Sequence, residues 1–176
     1  MIRIPLVAVA VVFLAAGCGG GDGKAKDKAP ERALKTEATL LREQEEASAT
    51  LYDATTAVGT CVDTDGLDAR AACLDVRLQD AQKARKGVAT AWSALSAVTS
   101  GECRDQWRIA ESALARIEDR EDGLSEAIAS DAMDAGTTEA VVAQTAMLEA
   151  VSGLINANTA AIEARNSSVE VCEAQD

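Results

Sequence analysis

"LDARAACLDVRLQDAQKARKGVATAWSAL", Leu67 to Leu95, decides the fold. Within it Leu67, Ala71, Leu74, Leu78, Ala81, Arg85, Val88, Trp92 and Leu95 follow one another at intervals of four and three, and only the arginine interrupts the apolar series. That spacing follows the 3.6-residue turn of an α-helix and lines one face of it. A strand would need alternation with a period of two, which the stretch lacks. It therefore predicts a long amphipathic helix whose apolar stripe must be covered by other elements of similar length.

Working outward, the same spacing appears three more times. Leu34, Leu41, Ser48, Leu51 or Tyr52, Thr55 and Val58 precede the stretch; Trp107, Ala110, Leu114, Ile117, Glu121, Leu124 and Ile128 follow it. The last series is Val142, Thr145, Leu148, Val151, Ile155, Asn158, Ile162 and Val169. Three breaks separate the four. In Gly59 to Gly66, Asp65 is the expected N-cap with Asp68 three residues on; in Thr99-Ser100-Gly101-Glu102, Thr99 and Glu102 have capping-box spacing. In Asp134-Ala135-Gly136-Thr137, Gly136 can end one helix and Thr137 cap the next. Short connections make successive helices antiparallel. The expected fold is all-α, an antiparallel up-down-up-down four-helix bundle over residues 31–176, with helices of about 28 to 35 residues and so roughly 40 to 50 Å.

The cysteines test this layout. Of five in the chain, Cys61 follows the first helix and Cys73 lies early in the second, at one end. Cys103 opens the third helix and Cys172 closes the fourth, at the other. Of the three connectivities open to four cysteines, the layout selects Cys61–Cys73 and Cys103–Cys172.

Cys18 stands apart. Residues 1–17 read as an export signal, with Arg3 as a short basic region and Ile4 to Leu14 as an apolar run too short to span a bilayer. Leu14-Ala15-Ala16-Gly17-Cys18 then resembles the lipobox of bacterial lipoproteins, with Ala15 where that family usually has leucine. The resemblance implies cleavage before Cys18, acyl chains on Cys18, and a protein anchored by lipid on the extracytoplasmic face of the cell membrane, where disulfides persist. Residues 18–30, with three consecutive glycines and Lys24, Lys26 and Lys28, read as a flexible linker.

The formal charge is −12, and removal of a leader with one base and no acid takes it to −13. Such a surface repels nucleic acid and anionic headgroups, so no nucleic-acid partner is expected and the membrane is reached through Cys18. The chain has no histidine, which removes the commonest general base and metal ligand, and neither a nucleophile elbow nor a phosphate-cradling loop occurs. Neither catalysis nor a cofactor nor a metal is expected. "DTDGLD", Asp63 to Asp68, resembles part of a calcium loop but places Cys61 and Ala72 where the first and last acidic ligands belong, and reads as a turn.

Two features remain. Trp92 and Trp107 flank the second break, so a hairpin brings both rings to one end of the core; that end, with some indole exposure, is the expected partner-binding surface. Gln44 or Glu45, Arg85, Glu121 and Asn158 interrupt the four series near half-height, either as a charged layer across the core that fixes register or as solvated stripe edges. The function expected is a lipid-anchored binding or structural module engaging another envelope protein. The alternative is an inhibitor of an exported cell-wall hydrolase: Cys61, Cys73-Leu74, Asp75, Leu78 and Gln106-Trp107 loosely resemble helical lysozyme-inhibitor lipoproteins, over less than half the chain.

Overall fold

The computed structural model describes residues 28–129 and 137–174, with side chains from 37 and from 138 in the two segments. The leader, Cys18 and most of the third break lie outside the described residues. Four helices, α1 (Lys28–Thr60), α2 (Leu67–Val98), α3 (Gly101–Ile128) and α4 (Thr137–Glu173), form the expected antiparallel four-helix bundle, with a single 3-10 turn at Cys61–Asp63. No strand occurs among the described residues. α1 takes in Lys28, Ala29 and Pro30, which the sequence reading gives to the linker. Proline is compatible with the first turn of a helix, where its missing N–H would have no partner in any case.

The core is the set of faces that the periodicity picks out in α2 and α3. Leu74, Leu78, Ala81, Val88, Trp92 and Leu95 of α2 meet Trp107, Ala110, Leu114, Ile117 and Leu124 of α3, all buried. From α1 come Leu51 and Val58 and from the 3-10 turn Cys61, and Tyr52 lies on the surface. Each chain neighbour packs on the next, and the sparser α1–α4 contact closes the ring.

Both described breaks are built differently from the capping boxes expected. Gly66, not Asp65, precedes α2, at φ 85° and ψ 142°, a region essentially reserved for glycine, so no side-chain cap exists there. Arg70 ties the turn instead, its Nε and Nη2 donating to the Thr64 carbonyl at 3.3 and 3.1 Å. Thr99 ends α2 rather than starting α3: its N–H and its hydroxyl both donate to the Leu95 carbonyl, at 3.0 and 2.8 Å, and its side chain is thereby withdrawn from the following helix.

Disulfides join Cys61 to Cys73 and Cys103 to Cys172, with Cα–Cα distances of 5.7 and 4.8 Å. Beside the second bridge, one turn from Cys172, the buried Ser168 hydroxyl lies between the Gln106 carbonyl of α3 at 3.0 Å and the Ala164 carbonyl of its own helix at 2.9 Å and shares its one proton between them.

Helix α4 corrects the sequence reading most. Its core face is Ala143, Met147, Val151, Leu154, Asn158, Ala161, Ser168 and Cys172, rotated from the expected series, of which only Val151 and Asn158 are fully buried. The reason is physical: α4 is apolar on more than one side, so the largest side chains do not mark the face that is covered. By length and hydropathy it would suffice to cross a membrane, yet here it packs as one of four helices in the bundle.

Candidate partner-binding face

The residues that α4 turns away from the core include four of the exposed large apolar side chains among the described residues. Val141 is 61% exposed, Val142 64%, Leu148 40% and Ile155 39%. Val141, Leu148, Ile155 and the half-buried Ile162 are seven residues apart, with Thr145, Ser152 and Thr159 four residues after the first three. This is a second 4-3 series along the same helix, about 30 Å long at 1.5 Å per residue. The threonine hydroxyls on it are internally satisfied: Thr145 donates to the Val141 carbonyl at 3.0 Å and Thr159 to the Ile155 carbonyl at 3.1 Å. Their methyl groups can be covered without orphaning a donor.

The upper part of this stripe is open because α1 stops short. Gly59, in the last turn of α1, lets Ile155 Cδ1 approach to within 3.3 Å of where a Cβ would stand, so the end of α1 meets α4 eighteen residues after its start at Thr137. The first turns of α4 therefore run past the end of α1 on this flank. Below the crossing, a groove of about 360 Å³ lies between the two helices, lined by Glu45, Tyr52, Asp53, Ile162 and Arg165 among others. Tyr52 is 54% exposed beside it. Arg165 Nε donates to Gln44 Oε1 at 3.0 Å and its Nη1 to Asn166 Oδ1 at 2.9 Å.

The tryptophans sit together as expected, with ring centroids 6.3 Å apart at an interplanar angle of 50°. Their exposure does not match: Trp92 is 1% and Trp107 0% exposed, and neither indole N–H has a hydrogen-bond partner among the described residues. Packing of the α2–α3 hairpin encloses both rings, so they stabilise the core and present no surface to a partner. Of Gln106-Trp107, the ring is buried and the Gln106 carbonyl faces the Ser168 hydroxyl at 3.0 Å.

The polar interruptions are buried members of the core. Gln44 (not Glu45), Arg85, Glu121 and Asn158 are all enclosed. Arg85 Nε donates to Glu121 Oε2 at 2.8 Å and its Nη2 to Glu118 Oε1 at 3.1 Å, the latter carboxylate being largely exposed. Glu121 Oε1, Asn158 Oδ1 and Thr55 Oγ1 have no hydrogen-bond partner among the described residues. Burial raises the Glu121 pKa from its ordinary value; the hydrogen bond and charge of Arg85 offset part of that, while Glu118 and Asp122 add to it. Four residues from four helices thus interrupt the core, and Arg85 and Glu121 pair α2 with α3.

The Asp63–Asp68 segment is a turn, with Asp63, Asp65 and Asp68 exposed, and no group of three potential metal-ligating side chains occurs among the described residues. No protein-family model, curated protein or solved structure matches the chain.

Proposed function

We propose that this protein is a lipid-anchored binding module that holds another envelope protein at the extracytoplasmic face of the membrane. The observation that carries the reading is the second 4-3 series of α4, with Val141, Leu148 and Ile155 exposed on a helix whose other face already fills the core. A helix of a free-standing bundle needs one apolar stripe; a second, uncovered one is the mark of an interaction surface. The two disulfides suit an oxidising compartment, and the lipobox-like Leu14 to Cys18 supplies the anchor. The inhibitor reading gains nothing further, because Trp107 faces inward.

Placing a photo-crosslinking residue at position 148 of the full chain in its host tests the reading. The chain should remain with membranes after a high-salt wash and form one dominant adduct with an envelope protein. The Cys18→Ala version should leave the membrane fraction and lose most of that adduct, since two or three acyl chains are the only anchor invoked. Membrane retention of Cys18→Ala, or an adduct at 148 no stronger than one at the exposed Lys86 of α2, would contradict it.

A further inference from the structure

The exposed stripe has a recognisable partner chemistry. A 4-3 series of Val141, Thr145, Leu148, Ser152, Ile155, Thr159 and Ile162 is the seam that one helix offers to another, and the hydroxyls of Thr145 and Thr159 are already bonded within α4. The charge beside the seam is mostly negative. From Thr137 to Ala164 the helix contains Glu139, Glu149 and Glu163 and no lysine or arginine, and across the groove α1 contributes Glu45 and Asp53. The one base lining the groove, Arg165, lies at its lower end, below the open stretch of the seam, where it donates to Gln44 and Asn166. Resting on the binding-module reading above, we propose that α4 docks a basic amphipathic helix of another protein, with its apolar residues on the open part of the seam from Val141 to Ile155 and its lysines or arginines against Glu149 and, where it reaches the groove, Glu163, Asp53 and Glu45. A second copy of this chain is disfavoured, because apposing two such faces brings acids against acids. An anionic lipid surface is disfavoured by the same charges.

The test uses the full chain purified from its host and two synthetic 22-residue helical peptides with leucine at the 4-3 positions. One carries lysine at the flanking positions, the other glutamate. The lysine peptide should bind and gain helicity on binding, and binding should weaken at least fivefold when salt is raised from 50 to 300 mM; the glutamate peptide should not bind. Leu148→Asp should weaken the lysine peptide at least tenfold although it adds an acid, which separates seam recognition from general attraction to an acidic protein. Glu149→Gln with Glu163→Gln should weaken it several-fold and flatten the salt dependence. Both positions are exposed, so an unchanged thermal transition serves as the folding control. Lysine-peptide binding insensitive to Leu148→Asp would overturn the proposal. So would equal binding of the glutamate peptide, association of the chain with itself abolished by Leu148→Asp, or preferential binding of this face to anionic vesicles. Failure here with the position-148 adduct intact removes the basic helix and leaves the binding module standing. Peptide binding without an adduct removes the envelope partner and leaves the chemistry of the face.

Discussion

Replacing Arg85 with methionine should lower the stability of the bundle by about 3–5 kcal/mol, whereas replacing Arg85 and Glu121 together, with methionine and leucine, should leave it unchanged or raise it by about 1–4 kcal/mol. Glu121 is wholly buried, and Arg85 Nε at 2.8 Å is its hydrogen-bonded counter-ion. Removing the arginine alone strands a carboxylate in the core. Removing both eliminates two desolvation penalties that the 2.8 Å contact only partly offsets, and also the orphaned Glu121 Oε1. The pH dependence has a definite sign. Burial raises the folded-state pKa of Glu121 above its ordinary 4.5, so between that pH and the raised folded value the folded protein holds a proton that the unfolded chain has released. Its contribution is therefore most favourable below about 4.5 and is lost as pH rises through the raised folded value. In Arg85→Met the opposing effect of the guanidinium is gone, so the deficit relative to the double variant should be smallest in acid and grow toward neutral pH. Urea titrations of the three proteins at several pH values between 4 and 7.5 measure this; a double variant as unstable as Arg85→Met would refute the account of the pair.

Loss of the Cys103–Cys172 bridge is the other large effect. It closes 69 residues of chain, against 12 for Cys61–Cys73. In the chain-entropy model the long bridge contributes about 4 kcal/mol and the short one about 3 kcal/mol. The long bridge also holds α4 in its register on α3, together with the Ser168 hydroxyl on the Gln106 carbonyl. Cys103→Ser with Cys172→Ser should therefore unfold at lower denaturant than Cys61→Ser with Cys73→Ser, and its α4 amides should lose hydrogen-exchange protection while those of α2 and α3 keep theirs. Equal losses across all four helices would show that α4 depends on the bridge no more than its neighbours do.

The periodicity of α2 and α3 could be read directly because each has one apolar face and a charged opposite face; Leu74 to Leu95 and Trp107 to Leu124 fall where the intervals of four and three place them. The disulfide pairing was legible for the same reason: helix order and antiparallel topology leave each cysteine one neighbour at its own end. The capping residues were not, since Thr99 can serve either helix and only the three-dimensional turn decides that it closes α2. The two faces of α4 were not separable by side-chain size, because valines, leucines and isoleucines lie on both. A signal was nevertheless present. Counting back from Cys172 by fours and threes gives Ser168, Arg165, Ala161, Asn158, Leu154, Val151 and Met147, all buried apart from the half-buried Arg165. A seam through Val169 and Ile162 would have turned Cys172 away from Cys103. The need of an indole N–H for a partner points to exposed tryptophans, but with the ring centroids 6.3 Å apart in the α2–α3 hairpin the apolar burial of both rings prevails.

Carbene footprinting of the purified full chain, resolved to single residues along α4, bears most directly on the claim that this helix has one face in the core and another free for a partner. Val141, Leu148 and Ile155 should be labelled, and Met147, Val151 and Leu154 protected until the chain is unfolded. Protection of Leu148 and Ile155 with labelling of Met147 and Leu154 would mean that the opposite face fills the core, and the proposed binding surface would not exist.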